Sequence, residues 1–293
     1  MNQLINKIKK IRCITSASIV DCKNALLQSD GNLEHAIKIL REKGILKASS
    51  KLDRKAEKGL IVSSNCHNIF IMVEIKCETD FAANSDQIKA LGDKFIERIC
   101  HTKDIKFGKY NSIDDFYFNA DDKAYISDLV KETISIIKEK IVIEKFVILN
   151  NNFVGSYLHH NKLMGAVVDL NITESHKMTK ELIDDIEILC KDLAMHILAL
   201  NPQFISKDTI NKEFIESQRE ILCKQKEDFL KSKPVKLAEK IINSSLDKTL
   251  SDICLVNQKF IKTPKVTVAD EIAKYASSWN IKISVENFYI LKI

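Results

Sequence analysis

The sequence predicts an α+β protein with a small helical module at its N-terminus and a two-part core of antiparallel sheets and helices. Three observations favour this class. Apolar residues recur at helical spacing in residues 2–44, apolar runs of strand length alternate with helical patterns from residue 59 onward, and residues 208–247 are almost all helix formers. Hydrophobic residues make up 45% of the chain, which is enough to form a core in each part.

The N-terminal segment has the pattern of three short helices. Asn32 follows a turn and is expected to cap the third helix. Gly44 fits the left-handed position after the end of that helix, and Lys47–Lys58 is predicted to be a charged linker or an extended helix end. The apolar positions expected to form the small core are Leu4, Ile5, Ile8, Ile11, Ile19, Cys22, Leu26, Leu33, Ala36, Ile37 and Leu40.

The first part of the core begins with two predicted strands, Gly59–Ser63 and Ile69–Ile75. A helix is predicted to follow and to end near His101, and a second helix is predicted over Asp121–Lys140. The apolar positions that mark the buried faces of these two helices are Ile88, Leu91, Phe95, Ile99, Ile126, Leu129, Ile134 and Ile137.

Residues 141–170 have the pattern of a three-stranded meander, because clusters of turn residues separate three apolar runs. The predicted strands are Ile141–Leu149, Val154–Leu158 and Leu163–Leu170. A long helix is predicted over Ser175–Leu200, and Asn201-Pro202 is expected to end it.

The last part of the chain predicts an inserted helical hairpin and a return to the core. The helix-forming segment 208–247 is interrupted at Ser232-Lys233-Pro234, so its two halves are expected to fold back on each other. The predicted elements of the tail are a strand near Ile253–Ile261, a helix over Thr267–Ser278 and a strand over Ile281–Ile290.

The junction between the second strand and the following helix is the most informative stretch. Thr79, Asp80, Phe81 and Ala82 stand where the apolar run ends and the helical pattern begins. In one interpretation Asp80 caps the helix and Phe81 packs beneath it. In the other, both side chains project outward from a stiff support and contact a partner. The junction alone favours the first interpretation, and the rest of the chain favours the second.

Motifs of covalent chemistry do not occur in this sequence. The seven glycines are isolated, so there is no phosphate-binding loop, and no nucleophile elbow or zinc-protease motif is present. The eight cysteines show no metal-ligand spacing, and buried free thiols in a reducing cytoplasm explain them best. No apolar run reaches membrane-spanning length. We therefore expect no metal, no cofactor and no membrane association, and a function carried by surfaces.

The positive charge is concentrated at the N-terminus. Residues 1–58 carry 13 basic and 6 acidic side chains, whereas the formal net charge of the whole chain is only +5. A basic module can contact RNA or an acidic protein surface, and it can also be an ordinary solvated lysine-rich surface. The nearly balanced charge after residue 58 argues against a nucleic-acid-binding protein.

Five groups of residues, in the same order along most of the chain, resemble the bacterial translation elongation factor Ts family. They are Ile11-Arg12 with residues 18–26, 30–32, 36 and 40–44, Thr79-Asp80-Phe81, Gly155-Ser156-Tyr157 with His159, Ala194-Met195-His196-Ile197 with Pro202 and Phe204, and Lys233-Pro234 with Ala238-Glu239-Lys240. His160 departs from the family pattern, which usually has glycine at this position.

The resemblance implies a guanine nucleotide exchange factor that performs no covalent chemistry. Members of the family bind the GTPase EF-Tu carrying GDP and release the GDP, so that GTP replaces it. The domains implied are a ubiquitin-associated-like three-helix module at 1–52, a first core subdomain at 53–140, a second core subdomain at 141–200 with 248–293, and a hairpin at 201–247 that can support a homodimer.

The resemblance also assigns roles to individual residues. The Asp80–Phe81 pair is expected to enter a groove of the nucleotide-binding domain of EF-Tu and to dislodge Mg²⁺, with Thr79 as a hydroxyl cap and Ala82 as a small residue that permits close approach. Ile19 and Val20 are expected to contact the same domain, and the alternative for either is the core of the three-helix module. His159 is expected at a second contact surface, and its alternative is an ordinary turn residue.

Two further functions remain open on the sequence. A non-catalytic adaptor would bind its partner through residues 1–52 alone, and an RNA-binding protein would concentrate its affinity in residues 1–58 and lose it steeply with salt. The exchange factor predicts instead that labelled GDP leaves EF-Tu faster when small amounts of this protein are added.

Overall fold

The structure is a computed structural model that describes residues 2–15, 19–40, 55–66, 69–102, 105–116, 119–150, 153–173, 179–230 and 233–293. The helices are α1 (Asn2–Thr15), α2 (Ile19–Gln28), α3 (residues 33–40), α4 (Asp80–Ala83), α5 (Asp86–Cys100), α6 (Ala120–Ile137), α7 (Lys180–Leu200), α8 (Lys212–Gln225), α9 (Glu227–Leu230), α10 (Val235–Ile253) and α11 (Val268–Trp279). The strands are β1 (Lys58–Cys66), β2 (Ile69–Cys77), β3 (Gly108–Tyr110), β4 (Ile141–Asn150), β5 (Val154–Leu158), β6 (Met164–Thr173) and β7 (Lys282–Lys292). The protein is therefore α+β, as predicted.

Contacts divide the chain into two compact units. The first contains Met1–Asn151, Leu158–Met164 and Leu291–Ile293, and the second contains Asn152–Tyr157 and Gly165–Ile290. No helix in the described residues is long and apolar enough to cross a membrane.

The N-terminal helices α1, α2 and α3 share one small core, but Leu4, Ile5 and Ile19, which were expected in it, are exposed. Its buried members are Ile11, Cys22, Ala25, Leu26, Ala36 and Leu40. Asn32 caps α3, because its side-chain oxygen accepts a hydrogen bond from the backbone N–H of His35 at 3.1 Å. Gly44 and most of the linker predicted at Lys47–Lys58 lie outside the described residues.

The sheet of the first unit has the strand order β1-β2-β4-β3, and its neighbouring strands are antiparallel. Helices α5 and α6 pack their apolar faces against the core that this sheet forms; the predicted positions Ile88, Leu91, Phe95, Ile99, Ile126, Leu129 and Ile134 are all buried there. Gly92 permits the close approach of α5 to β1, because a Cβ at this position would lie 2.7 Å from Val62 Cγ2. The helix that follows the corner is therefore held tightly against the sheet.

The meander predicted over residues 141–170 is wrong. β4 pairs with β2 in the first sheet, whereas β5 and β6 form the second sheet with β7, in the order β5-β6-β7. All three segments are short apolar runs bounded by turn residues, and this pattern predicts a strand without specifying its partner. The strand Ile281–Ile290 predicted in the tail is confirmed as β7 and supplies the third member of that second sheet.

The hairpin segment consists of α8 and α10, which contact each other, with the short helix α9 between them. Lys226 near the end of α8 donates a hydrogen bond to Ser245 of α10. At the other end of the pair, Ile210, Leu250 and Cys254 share a small core. The helices therefore run antiparallel, as their short connection predicted.

The strand predicted near Ile253–Ile261 is wrong. Helix α10 continues to Ile253, and a 3₁₀ turn follows at Leu255–Asn257. Leu255 and Phe260 are buried in this irregular connection, so the apolar run reflects burial in a tertiary core rather than strand pairing. The helix predicted at Thr267–Ser278 is confirmed as α11, with Thr267 and Asp270 forming a capping box.

The expectation of free thiols throughout is also wrong. The Sγ atoms of Cys66 and Cys100 are joined in a disulfide between the end of β1 and the end of α5, with Cα atoms 6.2 Å apart. The two residues are 34 positions apart, and no sequence motif marks them. Cys22, Cys77, Cys190 and Cys254 are buried free thiols as expected, and Cys223 is an exposed one.

Candidate functional site: the β2–α4 corner

The corner is built from two successive helix starts at the end of β2. Thr79 is the N-cap of α4: it is extended, with φ −129° and ψ 156°, and its hydroxyl accepts a hydrogen bond from the N–H of Ala82 at 3.2 Å. Ser85 then caps α5, since its hydroxyl accepts from the N–H of Ile88. Each side-chain oxygen satisfies a backbone donor that the helix itself leaves unpaired. The predicted role of Thr79 as hydroxyl cap is confirmed.

The corner turns Phe81 outward. Its side chain is 92% exposed, and Asp80 beside it is also exposed, whereas Ala82 and Ala83 are buried against the sheet. The interpretation in which Asp80 caps the helix and Phe81 packs beneath it is therefore excluded. Leaving a phenylalanine in water rather than in an apolar environment costs roughly 2 kcal/mol, so an exposed ring at this level is a candidate contact.

A buried thiol at the end of β2 also binds the backbone of the corner. Cys77 Sγ donates to the carbonyl oxygen of Thr79 at 3.2 Å. Burial, and secondly the negative charge of Glu139, raise the pKa of Cys77 to about 11. The thiol therefore stays protonated and able to donate at neutral pH.

We call the Asp80–Phe81 pair the tip of the corner. Lys58 of β1 forms an ion pair with it, with 3.7 Å between the Lys58 Nζ and the Asp80 carboxylate. Both side chains are more than half exposed, with accessibilities of 52% and 68%. Exposed pairs of this kind contribute little to stability and form and break readily. The Asp80 carboxylate is therefore available to a partner.

Sequence reasoning missed the roles of two carboxylates: Glu139 binds the corner, and Glu78 binds the backbone of the α6–β4 turn. Glu139 lies about sixty residues away along the chain, at the turn between α6 and β4, and accepts hydrogen bonds from Thr79. One feature of the sequence could have indicated that Glu139 has a binding partner. It stands directly after Lys138, the C-cap of α6, where the helix dipole disfavours a negative charge unless another group compensates it.

Ile19 and Val20 stand at the start of α2 and are 56% and 66% exposed. The core of the three helices is formed instead by residues such as Cys22 and Leu26. The alternative that placed one of them inside that core is therefore excluded, and both offer apolar surface to a partner.

His159 lies in the tight turn between β5 and β6 and is only partly exposed. Its backbone N–H donates to the carbonyl of Met164, and its Nδ1 is 2.7 Å from the side-chain oxygen of Asn161. The left-handed residue of this turn is Lys162, with φ 57°, and not His160. The replacement of the usual glycine by His160 therefore does not strain the turn.

The structure brings Thr79, Asp80, Phe81 and Ala82 together on one corner, whereas Ile19 and Val20 of α2 and His159 of the β5–β6 turn belong to other elements. In the described part of the chain, no group of three or more His, Cys, Asp or Glu side chains could hold a metal ion. A stiff projection that ends in an aromatic ring and a carboxylate is suited to enter a groove of another macromolecule. The corner is therefore a candidate surface for contact with another protein.

Comparison with known proteins identifies the family. The sequence profile of the family described as Elongation factor TS matches residues 78–293. The protein of Mycoplasma genitalium named Elongation factor Ts is 36% identical over 262 residues, which cover 88% of this chain and 83% of that protein. This chain belongs to the elongation factor Ts family, the translation elongation factors that act as guanine nucleotide exchange factors for EF-Tu.

Proposed function

We propose that this protein binds EF-Tu carrying GDP and releases the GDP by pressing the β2–α4 corner, Thr79 to Ala82, against the magnesium and nucleotide site. The observation that carries this proposal is the 92% exposure of Phe81 on a capped corner. An exposed ring on a rigid support loses little conformational entropy when it is buried by a partner. The corner performs no covalent step, so the protein acts through binding alone.

The driving force follows from linkage. A partner that binds nucleotide-free EF-Tu more tightly than the GDP form must weaken GDP binding by the same factor. Burial of Phe81 at the centre of an interface is worth roughly 2 kcal/mol or more. This energy accelerates release when the groove that receives the ring is open only in the state with weakened nucleotide.

Asp80 acts next to the ring, on the electrostatics of the cation. A carboxylate brought close to the magnesium site accepts hydrogen bonds from the ligands of the cation or repels their negative charge. Loss of Mg²⁺ then leaves the phosphates of GDP without their main counter-charge, and the nucleotide dissociates faster. Ala82 is buried against the sheet, so its small side chain would support the corner from inside rather than face the partner, contrary to the role that the resemblance implied.

Further contacts would increase affinity without entering the nucleotide site. Ile19 and Val20, on a ubiquitin-associated-like module at residues 1–52, would touch the same domain of EF-Tu, and their exposure supports this role. His159 would contribute to a second contact surface beside the core.

The hairpin at residues 201–247 is proposed to support a homodimer. Its exposed apolar side chains are Ile221, Phe229, Val235 and Leu237. Exposed apolar residues grouped at one end of a helix pair are suited to packing against a second copy. We also propose a cytoplasmic location, where EF-Tu acts, and no requirement for a cofactor, a membrane or nucleic acid.

The test is the release of fluorescent GDP from EF-Tu in the presence of excess unlabelled nucleotide. With the protein at one twentieth of the EF-Tu concentration, we expect complete release at a rate proportional to the amount added. A rate equal to the spontaneous rate would reject exchange activity. If the protein co-purified with EF-Tu but left the rate unchanged, the adaptor function would be supported instead.

A further inference from the structure

The corner must be oriented from outside α4. This helix has only four residues, Asp80–Ala83, and helices of this length are not stable on their own. Phe81 is 92% exposed, so packing of its ring does not set its direction. The direction of the ring therefore depends on the burial of Ala82 and Ala83 against the sheet and on the groups that hold the backbone before α4.

The carboxylate of Glu139 holds this segment through three hydrogen bonds, two from backbone N–H groups and one from a side-chain hydroxyl. Its Oε2 accepts hydrogen bonds from the N–H of Glu78 at 3.1 Å and the N–H of Thr79 at 2.9 Å. Its Oε1 accepts the hydroxyl proton of Thr79 at 2.7 Å. Hydrogen bonds to an ionised acceptor are about twice as strong as neutral ones, and the two oxygens together fix the direction in which the chain leaves β2.

Glu139 also sets the capping role of Thr79. A hydroxyl has one proton, and in this structure the Thr79 hydroxyl uses it to donate a hydrogen bond to Glu139. The oxygen lone pairs of Thr79 then face the N–H of Ala82, which donates to them at 3.2 Å. The N-cap of α4 is thus oriented by a side chain on another element.

The restraint is reciprocal. Glu78 Oε1 accepts a hydrogen bond from the backbone N–H of Lys140 at 2.6 Å. The paired residues Cys77 and Ile141 end the ladder between β2 and β4, so the two glutamates continue the connection beyond the last strand pair. The α6–β4 turn and the β2–α4 corner are therefore locked together by two carboxylates, each bound to the backbone of the other segment.

We propose that Glu139 is a positioning residue for nucleotide exchange, which holds the Asp80–Phe81 tip in the direction that fits EF-Tu. The inference rests on the proposed function. Glu139 acts through the tip and contacts neither nucleotide nor cation. Without its charge the corner stays folded, but the ring samples several directions and enters the groove less often.

The experiment compares Glu139→Gln with Glu132→Gln, which removes the same charge from an exposed position on α6. GDP release from EF-Tu is measured at limiting amounts of each variant, well below its unfolding temperature. We expect Glu139→Gln to be about tenfold less effective, because the oxygen that accepts from two backbone N–H groups loses its charge and these hydrogen bonds weaken, and Glu132→Gln to match the unmodified protein. Thr79→Val, which removes the hydroxyl of the same network, should lose activity in the same way.

A mutant cycle separates positioning from general destabilisation. In a background that carries both Asp80→Asn and Phe81→Ala, Glu139→Gln should cause no further loss, since both groups that Glu139 orients are gone. An equal loss in both backgrounds, or full activity of Glu139→Gln alone, would overturn the proposal.

Amide hydrogen exchange gives a readout that is independent of EF-Tu. In Glu139→Gln the amides of Glu78, Thr79 and Ala82 should exchange faster than in Glu132→Gln, while amides in the middle of β2 stay unchanged. If the unmodified protein releases no GDP, the proposed function fails, and this exchange pattern alone decides whether Glu139 holds the corner. Unchanged protection of all three amides would contradict the positioning role.

Discussion

The β2–α4 corner and the β5–β6 turn both carry residues expected to contact EF-Tu, yet they are built in opposite ways. At the corner, a ring with 92% exposure stands on backbone held by Glu139. At the turn, His159 is only partly exposed and is held by hydrogen bonds to its near neighbours Asn161 and Met164. The exposed ring of Phe81 is unfavourable in water, and the backbone beneath it is held by a residue far away in the sequence. Together these features indicate a surface that is built to contact a partner. Local bonds and partial burial are also what an ordinary turn requires.

The largest effect is expected for the ring. Phe81→Ala should reduce the acceleration of GDP release about 30-fold, which corresponds to the loss of ~2 kcal/mol of buried apolar surface. The unfolding midpoint should not change, because the ring is 92% exposed in the free protein. Phe107→Ala is the matched control, since Phe107 is another exposed ring of the first unit, at 51%. Equal losses in both variants would remove the distinction between the corner and the rest of the surface.

A smaller effect is expected for the carboxylate of the tip. Asp80→Asn keeps the shape and removes the charge, and the acceleration should fall about tenfold. The Lys58 pair is exposed, so the free protein should lose no measurable stability. Asp86→Asn serves as control, with a side chain that is 95% exposed at the start of α5. If Asp80→Asn and Asp86→Asn behaved alike in the release assay, the charge of the tip would have no specific role.

His159→Ala should reduce the acceleration only about twofold to threefold, as expected for a residue outside the centre of an interface. Release rates measured over a range of EF-Tu concentrations should show the change in the half-saturating concentration and not in the maximal rate. A loss as large as that of Phe81→Ala would reverse the comparison and place the critical contact at the turn.

Removal of the charge of Asp169, which belongs to neither the β2–α4 corner nor the β5–β6 turn, should affect stability alone. Burial, and secondly the charge of Glu286, raise the pKa of Asp169 from 3.8 to about 6. The unfolded chain therefore ionises first as pH rises, and Asp169 makes the fold less stable above about pH 4, with the full effect above pH 6. Asp169→Asn should raise the free energy of unfolding on the order of 1 kcal/mol at pH 7 and leave it unchanged at pH 3, after allowance for partial exposure.

Urea unfolding at the two pH values, with Asp184→Asn as an exposed control in the same unit, checks this prediction. GDP release should be unaffected by either variant. A stabilisation that persists at pH 3 would show that the raised pKa of Asp169 is not its cause.

Much of the architecture follows from the sequence, because local patterns determine it. The buried faces of α5 and α6 and the antiparallel pair α8 and α10 agree with their spacing, whereas the cap at Thr79 was implied by the resemblance and the local pattern favoured Asp80. The strand assignment of 253–261 failed because a buried irregular segment and a strand have the same composition. The predicted pairing of β4 with β5 was also wrong, since no local sequence pattern shows that β4 pairs with β2.

The candidate site shows the same limit. The position of the corner is local information, and the residues Thr79 to Ala82 mark it. The outward direction of Phe81 is decided by the fold, because a ring after a cap can pack inward or project. The contact of Glu139 with Thr79 joins residues 60 positions apart, and only the antiparallel pairing of β2 with β4 brings them together.

The central claim is that Phe81 enters the nucleotide-binding domain of EF-Tu, and photocrosslinking tests it most directly. A benzoylphenylalanine placed at position 81, and in a second sample at position 107, is irradiated with EF-Tu in the absence of nucleotide. We predict an efficient crosslink from position 81 to the nucleotide-binding domain, suppressed by excess GDP and Mg²⁺, and little from position 107. Absence of the crosslink at position 81, or equal yields from both positions, would contradict the account.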